Sequence, residues 1–171
     1  MLAITARALR YLDGEVVRRL NDGQWQEQIL TEVALPEELA SSSYLQPLYG
    51  CIEFAVRDVM RRYMGWYDGN PSMLFPSTRA EIAREVVGLT GGPDPLLERA
   101  RSLAASDAIG DLQRALHLVD FVIDDGGRRV DEARALKAEL LDARAAHERS
   151  FVAHNILASA AVLERGRASG A

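Results

Sequence analysis

The chain has 171 residues, of which 48% are hydrophobic, so it is long enough to bury one sizeable core, or one core with an appended hairpin. Its net charge of −5 argues against a nucleic-acid surface, which needs clustered Lys and Arg, and its single cysteine, Cys51, excludes an internal disulfide. We find neither a signal peptide nor the roughly 18 uninterrupted apolar residues that a membrane span requires, so we expect a cytoplasmic protein without a membrane span.

The first predicted helix covers residues 2–22. It ends at Asn21-Asp22-Gly23, where glycine accepts a left-handed conformation. Its helical period begins at the second residue with no capping group before it, so our hypothesis is that the numbering starts inside a longer natural chain. A shorter helix over residues 24–33 follows, which Leu35-Pro36 ends, and residues 40–44 form a Ser-rich connection.

The next stretch, residues 44–76, organises the chain. We predict a helix from Pro47 to about Tyr63, because its apolar residues recur at steps of three and four. That apolar stripe consists of Leu45, Leu48, Tyr49, Ile52, Val56, Val59, Met60 and Tyr63. The opposite face carries two charge pairs, Glu53 with Arg57 and Asp58 with Arg62, which indicate the solvated side. We expect Cys51 to be a small buried side chain.

The segment from Gly65 to Pro71 combines turn formers with two large aromatic residues, Trp66 and Tyr67. One interpretation is a structural turn that the aromatics pin to a core. The other is a loop that docks onto another surface, because Trp and Tyr are favoured interface anchors. We interpret Asp68 and Asn70 as turn formers, since a catalytic role would need a nucleophile or metal that the chain does not visibly supply.

These residues carry a family resemblance. The run Tyr63-Met64-Gly65-Trp66-Tyr67-Asp68-Gly69-Asn70-Pro71 resembles a signature of the dimerisation domain of bacterial alkylsulfatases, with further similarity in Tyr44-Leu45-Gln46, Leu48-Tyr49-Gly50, Ala8 to Leu12, Leu35 to Leu39 and Gly91-Gly92. The resemblance covers residues 5–125 well and the remainder loosely. It implies a homodimer, and contact with a catalytic domain of the metallo-β-lactamase fold that binds zinc.

This chain departs from the whole enzyme in one respect. The family's metal site resembles a His-x-His-x-Asp-His run with later ligands, whereas this chain has only His117, His147 and His154, and no such run. No catalytic residue can therefore be transferred. The resemblance implies a chain without its own cofactor, with zinc in a separate catalytic domain.

The C-terminal half is predicted to be a series of helices. Thr78 and Glu81 have the spacing of a capping box, and Ile82, Val86 and Leu89 would form the apolar side of the helix that Gly91-Gly92 ends. Asp94-Pro95 is typical of an N-cap followed by a first-turn proline. Later apolar stripes predict helices around residues 96–104, 109–123 and 130–143. Residues 128–165 lack glycine and proline, so one long helix or two joined near 145–147 are both possible.

Two groups that contain histidine are candidate chemical sites. His117, Asp120 and Asp124 share one helix face, as the ligands of a metal site would, but they flank an apolar stripe, which favours a solvated edge. His147 and His154 are seven residues apart, too far for one tetrahedral metal, and we interpret them as surface residues.

We predict an all-α fold, a single domain over residues 1–171 with tetratricopeptide-like helix hairpins at 77–165 and a frayed tail at 166–171. The resemblance implies a non-catalytic dimerisation module that pairs subunits and helps to shape a substrate entrance. The candidate residues for the interface or entrance are Tyr49, Tyr63, Trp66, Tyr67, Asp68 and Asn70. The alternatives are an adaptor that binds a peptide in a groove of residues 95–165, and an enzyme with a site around His117 and Asp120.

Overall fold

A computed structural model describes residues 2–170. Within this range every regular element is helical and no β-strand occurs, which confirms the all-α prediction. The α-helices are α1 (Leu2–Asn21), α2 (Gln26–Glu32), α3 (Glu37–Ala40), α4 (Ile52–Met64), α5 (Arg79–Leu89), α6 (Asp94–Ala104), α7 (Ile109–Asp125), α8 (Val130–Ala146) and α9 (Phe151–Ala168), with single 3-10 turns at Ser43–Leu45 and Pro71–Met73. No helix in the described range has both the length and the apolar character needed to cross a membrane.

The chain divides into two compact units, residues 1–76 and 77–171. The assignment of both to one dimerisation domain stays a prediction. In the first unit, α1, α2 and α4 pack on one another around six buried apolar side chains, Leu12, Val16, Ile29, Val33, Val56 and Met60. Arg19 ties α1 to α2, because its guanidinium donates to Glu32 at 2.5 Å and to Glu15 at 2.8 Å.

The predicted start of the organising helix is wrong by five residues, since α4 begins at Ile52 rather than Pro47. Gln46 is extended, with ψ of 136°, as the residue before a proline usually is, although this alone would also suit a helix that starts at Pro47. The Leu48 N–H then donates to the Gln46 carbonyl at 2.8 Å, which forms a tight turn instead of a helix. Leu48 and Tyr49 are therefore exposed rather than on the apolar stripe. Cys51, the N-cap, is half-buried, not buried as expected.

In the second unit, consecutive helices pack as α6 on α7, α7 on α8 and α8 on α9, while α5 packs on α7. The largest fully buried side chains of this core are Leu97, Leu112, Val119, Val122 and Leu140. The predicted stripes of α6 to α8 are largely confirmed by this burial. The tetratricopeptide-like character of the hairpins stays a prediction.

The helix ends of the second unit follow from local chemistry. The predicted capping box is present: the Thr78 hydroxyl accepts from the Glu81 N–H at 3.2 Å, and the Glu81 carboxylate accepts from the Thr78 N–H at 2.7 Å. The prediction for Asp94 is wrong by one residue, because Pro93 is the N-cap and Asp94 already lies in α6. Its carboxylate instead accepts from Arg128 at 3.1 Å and Arg129 at 2.9 Å.

Three further predictions concern helices of the second unit. The apolar side assigned to α5 is right for Val86, which packs against the core, and wrong for Ile82 and Leu89, which are exposed. Ala83 and Val87 are buried in their place. Residues 128–165 form two helices, separated at residues 147–150, where Ser150 caps α9. The tail predicted to fray is helical through Ala168; the last residue, 171, lies outside the described range.

Candidate functional site

The candidate loop begins where α4 ends. Val56 and Met60 bury one side of α4, which fixes the direction in which the chain leaves the helix. Gly65 follows the last helical residue with φ of 68°, a left-handed value that residues with a β-carbon rarely adopt, and its N–H donates to the Arg61 carbonyl at 3.1 Å. The loop therefore starts from a rigid helix end.

Two side-chain turns shape the loop, as predicted. The Asp68 carboxylate accepts from the Asn70 N–H at 2.8 Å, and the Asn70 side-chain oxygen accepts from the Ser72 N–H at 3.1 Å. Gly69 lies between them with φ of 94°, and a β-carbon there would be 4.0 Å from the Trp25 ring. The turn thus passes close to Trp25, and the side chains of Asp68 and Asn70 serve to fix the loop backbone.

The aromatic pair of the loop is presented to solvent. Trp66 is 84% exposed, whereas Tyr67 is half-buried, and their ring centroids lie 5.9 Å apart at an angle of 55°. Within this chain Trp66 is not held in a core. The exposure of Trp66 favours the interpretation of the loop as a docking surface. The partial burial of Tyr67 favours the interpretation of a turn anchored by an aromatic residue.

Tyr63 lies on the last turn of α4 and is about half exposed. Its hydroxyl lies within hydrogen-bond distance of both carboxylate oxygens of Asp13, at 3.3 and 3.4 Å, and the Arg62 guanidinium lies 5.6 Å from its ring centroid. Tyr49 is 75% exposed in the irregular stretch before α4. The structure thus places Tyr63 with the loop, and Tyr49 on a separate segment.

The sequence prediction missed three apolar residues that directly follow the loop. Met73 is 51% exposed, Leu74 43% and Phe75 93%, and all three lie at or just after the 3-10 turn. The signal was available as an uncharged run between Pro71 and Pro76. We call residues 63–75 the apolar loop segment, because it exposes Tyr63, Trp66, Met73, Leu74 and Phe75.

An open apolar groove of about 360 Å³ lies elsewhere in the first unit. One wall comes from Leu9 and Leu12 of α1, and the other from Leu45, Pro47 and Ile52. The groove includes the stretch before α4 that departs from the predicted helix. It has no cluster of polar groups that could carry out chemistry.

The histidine candidates do not form a metal site. His117 is exposed and lies 3.2 Å from the Gln113 amide, while the carboxylates of Asp120 and Asp124 pair with Lys137 at 2.7 Å and Arg79 at 2.9 Å. Residues 2–170 contain no group of three or more side chains placed to hold a metal ion. The carboxylates are thus engaged by cations of the same unit.

The other two histidines have separate partners. His147 lies 3.3 Å from Asp107, and the Nδ1 atom of His154 lies 3.0 Å from the Ala145 carbonyl. The two residues lie in different elements, since His147 is in the connection after α8 and His154 is inside α9. The two imidazoles therefore have local structural roles.

Comparison with known proteins identifies a family. The family described as "Alkyl sulfatase dimerisation" matches residues 26–166. Among curated relatives, a linear primary-alkylsulfatase from a Pseudomonas strain is 36% identical over 145 residues, which is 81% of this chain and 26% of the relative. An (R)-specific secondary-alkylsulfatase from Pseudomonas is 35% identical over 133 residues, 77% of this chain and 20% of the relative.

A solved structure agrees. The stereoselective inverting sec-alkylsulfatase Pisa1 from Pseudomonas superposes with a TM-score of 0.81 and 29% identity, covering 91% of this chain and 24% of that protein. The chain therefore spans between a fifth and about a quarter of the length of these relatives. The similarities do not support the alternative of a peptide-binding adaptor.

Proposed function

Because this chain belongs to the alkyl sulfatase dimerisation family, we propose that it is the non-catalytic dimerisation module of an alkylsulfatase-like hydrolase with a metallo-β-lactamase-fold catalytic domain. Its role would be to pair two identical subunits and to help shape the substrate entrance. The observation that carries the proposal is the amount of large apolar side chain left in water, above all Trp66 at 84% and Phe75 at 93% exposure. Exposed apolar surface of this kind marks interaction sites.

The apolar loop segment is the part that we propose to face the catalytic domain. Its turns are fixed by hydrogen bonds that the Asp68 and Asn70 side chains accept from backbone N–H groups, so the loop backbone next to Trp66 and Tyr67 has its shape before any contact forms. Preorganised aromatics lose little conformational entropy on binding. They would contact the apolar tail of a sulfate ester without taking part in bond cleavage.

The proposal assigns no zinc to residues 2–170, because these residues contain no group of three side chains placed to hold a metal ion. We propose that any zinc is held by the catalytic domain. The contribution of this chain would then be to binding and geometry, and it should appear in KM rather than in kcat.

The solution mass of the purified chain tests the pairing function. We expect a mass near twice 18.8 kDa by light scattering behind size-exclusion chromatography, across a series of micromolar concentrations. A mass of one chain throughout that series would refute pairing by this module.

The entrance role has a separate test in the Pisa1 enzyme, to which this chain is structurally similar. Residues that align with Trp66 and Tyr67 would be changed to alanine, with the position aligned to the exposed Tyr44 as a matched aromatic control. We expect KM to rise more for a long-chain than for a short-chain alkyl sulfate, with kcat retained. Equal changes for both chain lengths would contradict the entrance role.

A further inference from the structure

The apolar loop segment is in contact with residues far from it in the sequence. The turns made by Asp68 and Asn70 give the loop its internal shape, but each joins residues only two apart, so they leave the direction of the loop undetermined. That direction depends on contacts with other elements of the same unit. These contacts come from Asp13 of α1 and from Trp25 and Gln26 at the start of α2.

The first contact ties the end of α4 to α1. The Tyr63 hydroxyl donates to the Asp13 carboxylate, whose two oxygens lie 3.3 and 3.4 Å away. A hydrogen bond to a charged acceptor is stronger than one between neutral groups. Tyr63 is the last but one residue of α4, and the loop leaves the helix two residues later, at Gly65. Asp13 therefore acts on the point from which the loop departs.

The other two contacts reach the loop from the start of α2. The Gln26 amide donates to the Met64 sulfur at 3.6 Å, which is the weaker contact because a thioether is a poor acceptor. The Trp25 ring lies against the backbone of the turn, since a β-carbon at Gly69 would be 4.0 Å from its Cζ3 atom. The backbone of Trp25 is itself fixed, because its N–H donates to the Gln28 side chain at 3.1 Å.

The helices that carry these contacts form a rigid frame. Arg19 of α1 pairs with Glu15 of the same helix and with Glu32 of α2, which joins the two helices on the outside. Val16 and Ile29 are fully buried in the core that α1 and α2 share with α4. Contacts from α1 and from the start of α2 therefore hold the loop against a frame that does not move with it.

We propose that Asp13 and Trp25 are positioning residues for the apolar loop segment. Asp13 sets the direction in which the chain leaves α4, and Trp25 limits the movement of the turn around Gly69. The inference rests on the proposed function, in which Trp66 contacts the apolar tail of a sulfate ester. A binding group keeps its geometry only when the residues behind it hold it in place. Both residues act through the loop and have no contact with a ligand in this proposal.

Backbone order parameters from ¹⁵N relaxation of the purified chain test the proposal. They are about 0.85 for a rigid backbone and below about 0.6 for a flexible one. Asp13→Ala removes the acceptor of the Tyr63 hydroxyl, so we expect the values of residues 65–67 to fall from the rigid to the flexible range. Trp25→Ala removes the ring beside Gly69, so we expect the same fall at residues 68–70.

Conservative variants and a matched control separate positioning from a general loss of stability. Asp13→Asn keeps an oxygen acceptor and Trp25→Phe keeps an aromatic ring, so both should retain order parameters close to the wild type. Tyr63→Phe should reproduce Asp13→Ala, and combining the two should add no further loss, because both remove one hydrogen bond. Asp58→Ala, which removes an exposed carboxylate from α4, should leave the loop unchanged.

The pattern of lost order decides the outcome. A loss confined to the loop, with α1, α2 and α4 still rigid, supports the positioning role. Unchanged order parameters in the loop of an alanine variant overturn the role of that residue. A loss that spreads over α1 and α4 also overturns it, because the residue then stabilises the whole unit.

These measurements are independent of the tests of the proposed function, since they require neither pairing nor turnover. If the entrance test in Pisa1 fails while the loop loosens as expected, the positioning role stands and the entrance role is refuted. If the order parameters do not change, the positioning role is overturned, and the entrance test keeps its own result.

Discussion

Glu164 provides the sharpest test of how α9 is fixed to the rest of its unit. Its side chain is 8% exposed and pairs with Arg134 at 2.8 Å and with Arg167 at 2.7 Å. Breaking a fully buried pair by removing one partner costs about 3–5 kcal/mol. Arg134 is 23% exposed and Arg167 58%, so water would solvate part of the charge left behind. We therefore expect Glu164→Ala to lower the free energy of unfolding by about 1–3 kcal/mol.

The loss can be measured by urea denaturation followed by circular dichroism, at one fixed protein concentration because a dimer's stability depends on concentration. It corresponds to a fall of roughly 3–10 °C in Tm for a chain of this size. Asp142→Ala is the control. It breaks the pair of Asp142 with Arg165 between the same two helices, but these side chains are 47% and 49% exposed, so the expected loss is below about 1 kcal/mol.

The two variants must differ for the reasoning to hold. If Glu164→Ala costs no more than Asp142→Ala, burial of the carboxylate contributes nothing to the attachment of α9. Glu164→Gln keeps the shape and one acceptor while it removes the charge, and we expect it to fall between wild type and alanine.

The remaining predictions concern backbone conformation and pH. Gly92 has φ of 129°, so Gly92→Ala should lower the free energy of unfolding, measured by urea titration, by about 1–3 kcal/mol. Gly88 lies inside α5 with no atom within 4 Å of an added methyl group, so Gly88→Ala should raise it by roughly 0.5–1 kcal/mol. Two effects of equal sign would contradict this prediction. Hydrogen bonds from Arg18 and then Arg19 lower the pKa of Glu15 from 4.5 to about 2. We expect this carboxylate to contribute about 1 kcal/mol to the free energy of unfolding, because its pairs are partly solvated. The contribution is fully present above pH 4.5 and is lost as the pH falls towards 2. Glu15→Gln should flatten the acid limb of the stability curve over that range, and an unchanged slope would refute the assignment.

Some of the structure could be read from the sequence because the signal was local. The spacing of Thr78 and Glu81 predicts a capping box, and the box is present with both hydrogen bonds. The turn formed by Asp68 and Asn70 was equally legible, since each side chain bonds a backbone N–H two residues on. Such contacts depend on neighbouring residues alone, and tertiary packing does not alter them.

Other features could not be predicted, because packing decided them. The stripe assigned to α5 followed the larger side chains Ile82 and Leu89, but the smaller Ala83 and Val87 are buried, as close helix packing requires. The start of α4 was extended over Pro47 because apolar residues happened to continue the helical period. Periodicity gives no account of the tight turn from Gln46 to Leu48 or of the extended Cys51 that caps α4.

Two exposed apolar surfaces illustrate a more general limit. A helical stripe is recognised by its contrast with a polar face, and α9 offers little contrast because both of its faces are apolar. Only the structure shows that Ala161 faces the core while Ile156 and Leu163 face water. The apolar loop segment has no period at all, and the exposure of Trp66 and Phe75 becomes visible only once the chain is folded. Exposure of this kind leaves apolar surface in water, and the proposed function gives the apolar loop segment a partner that would cover it.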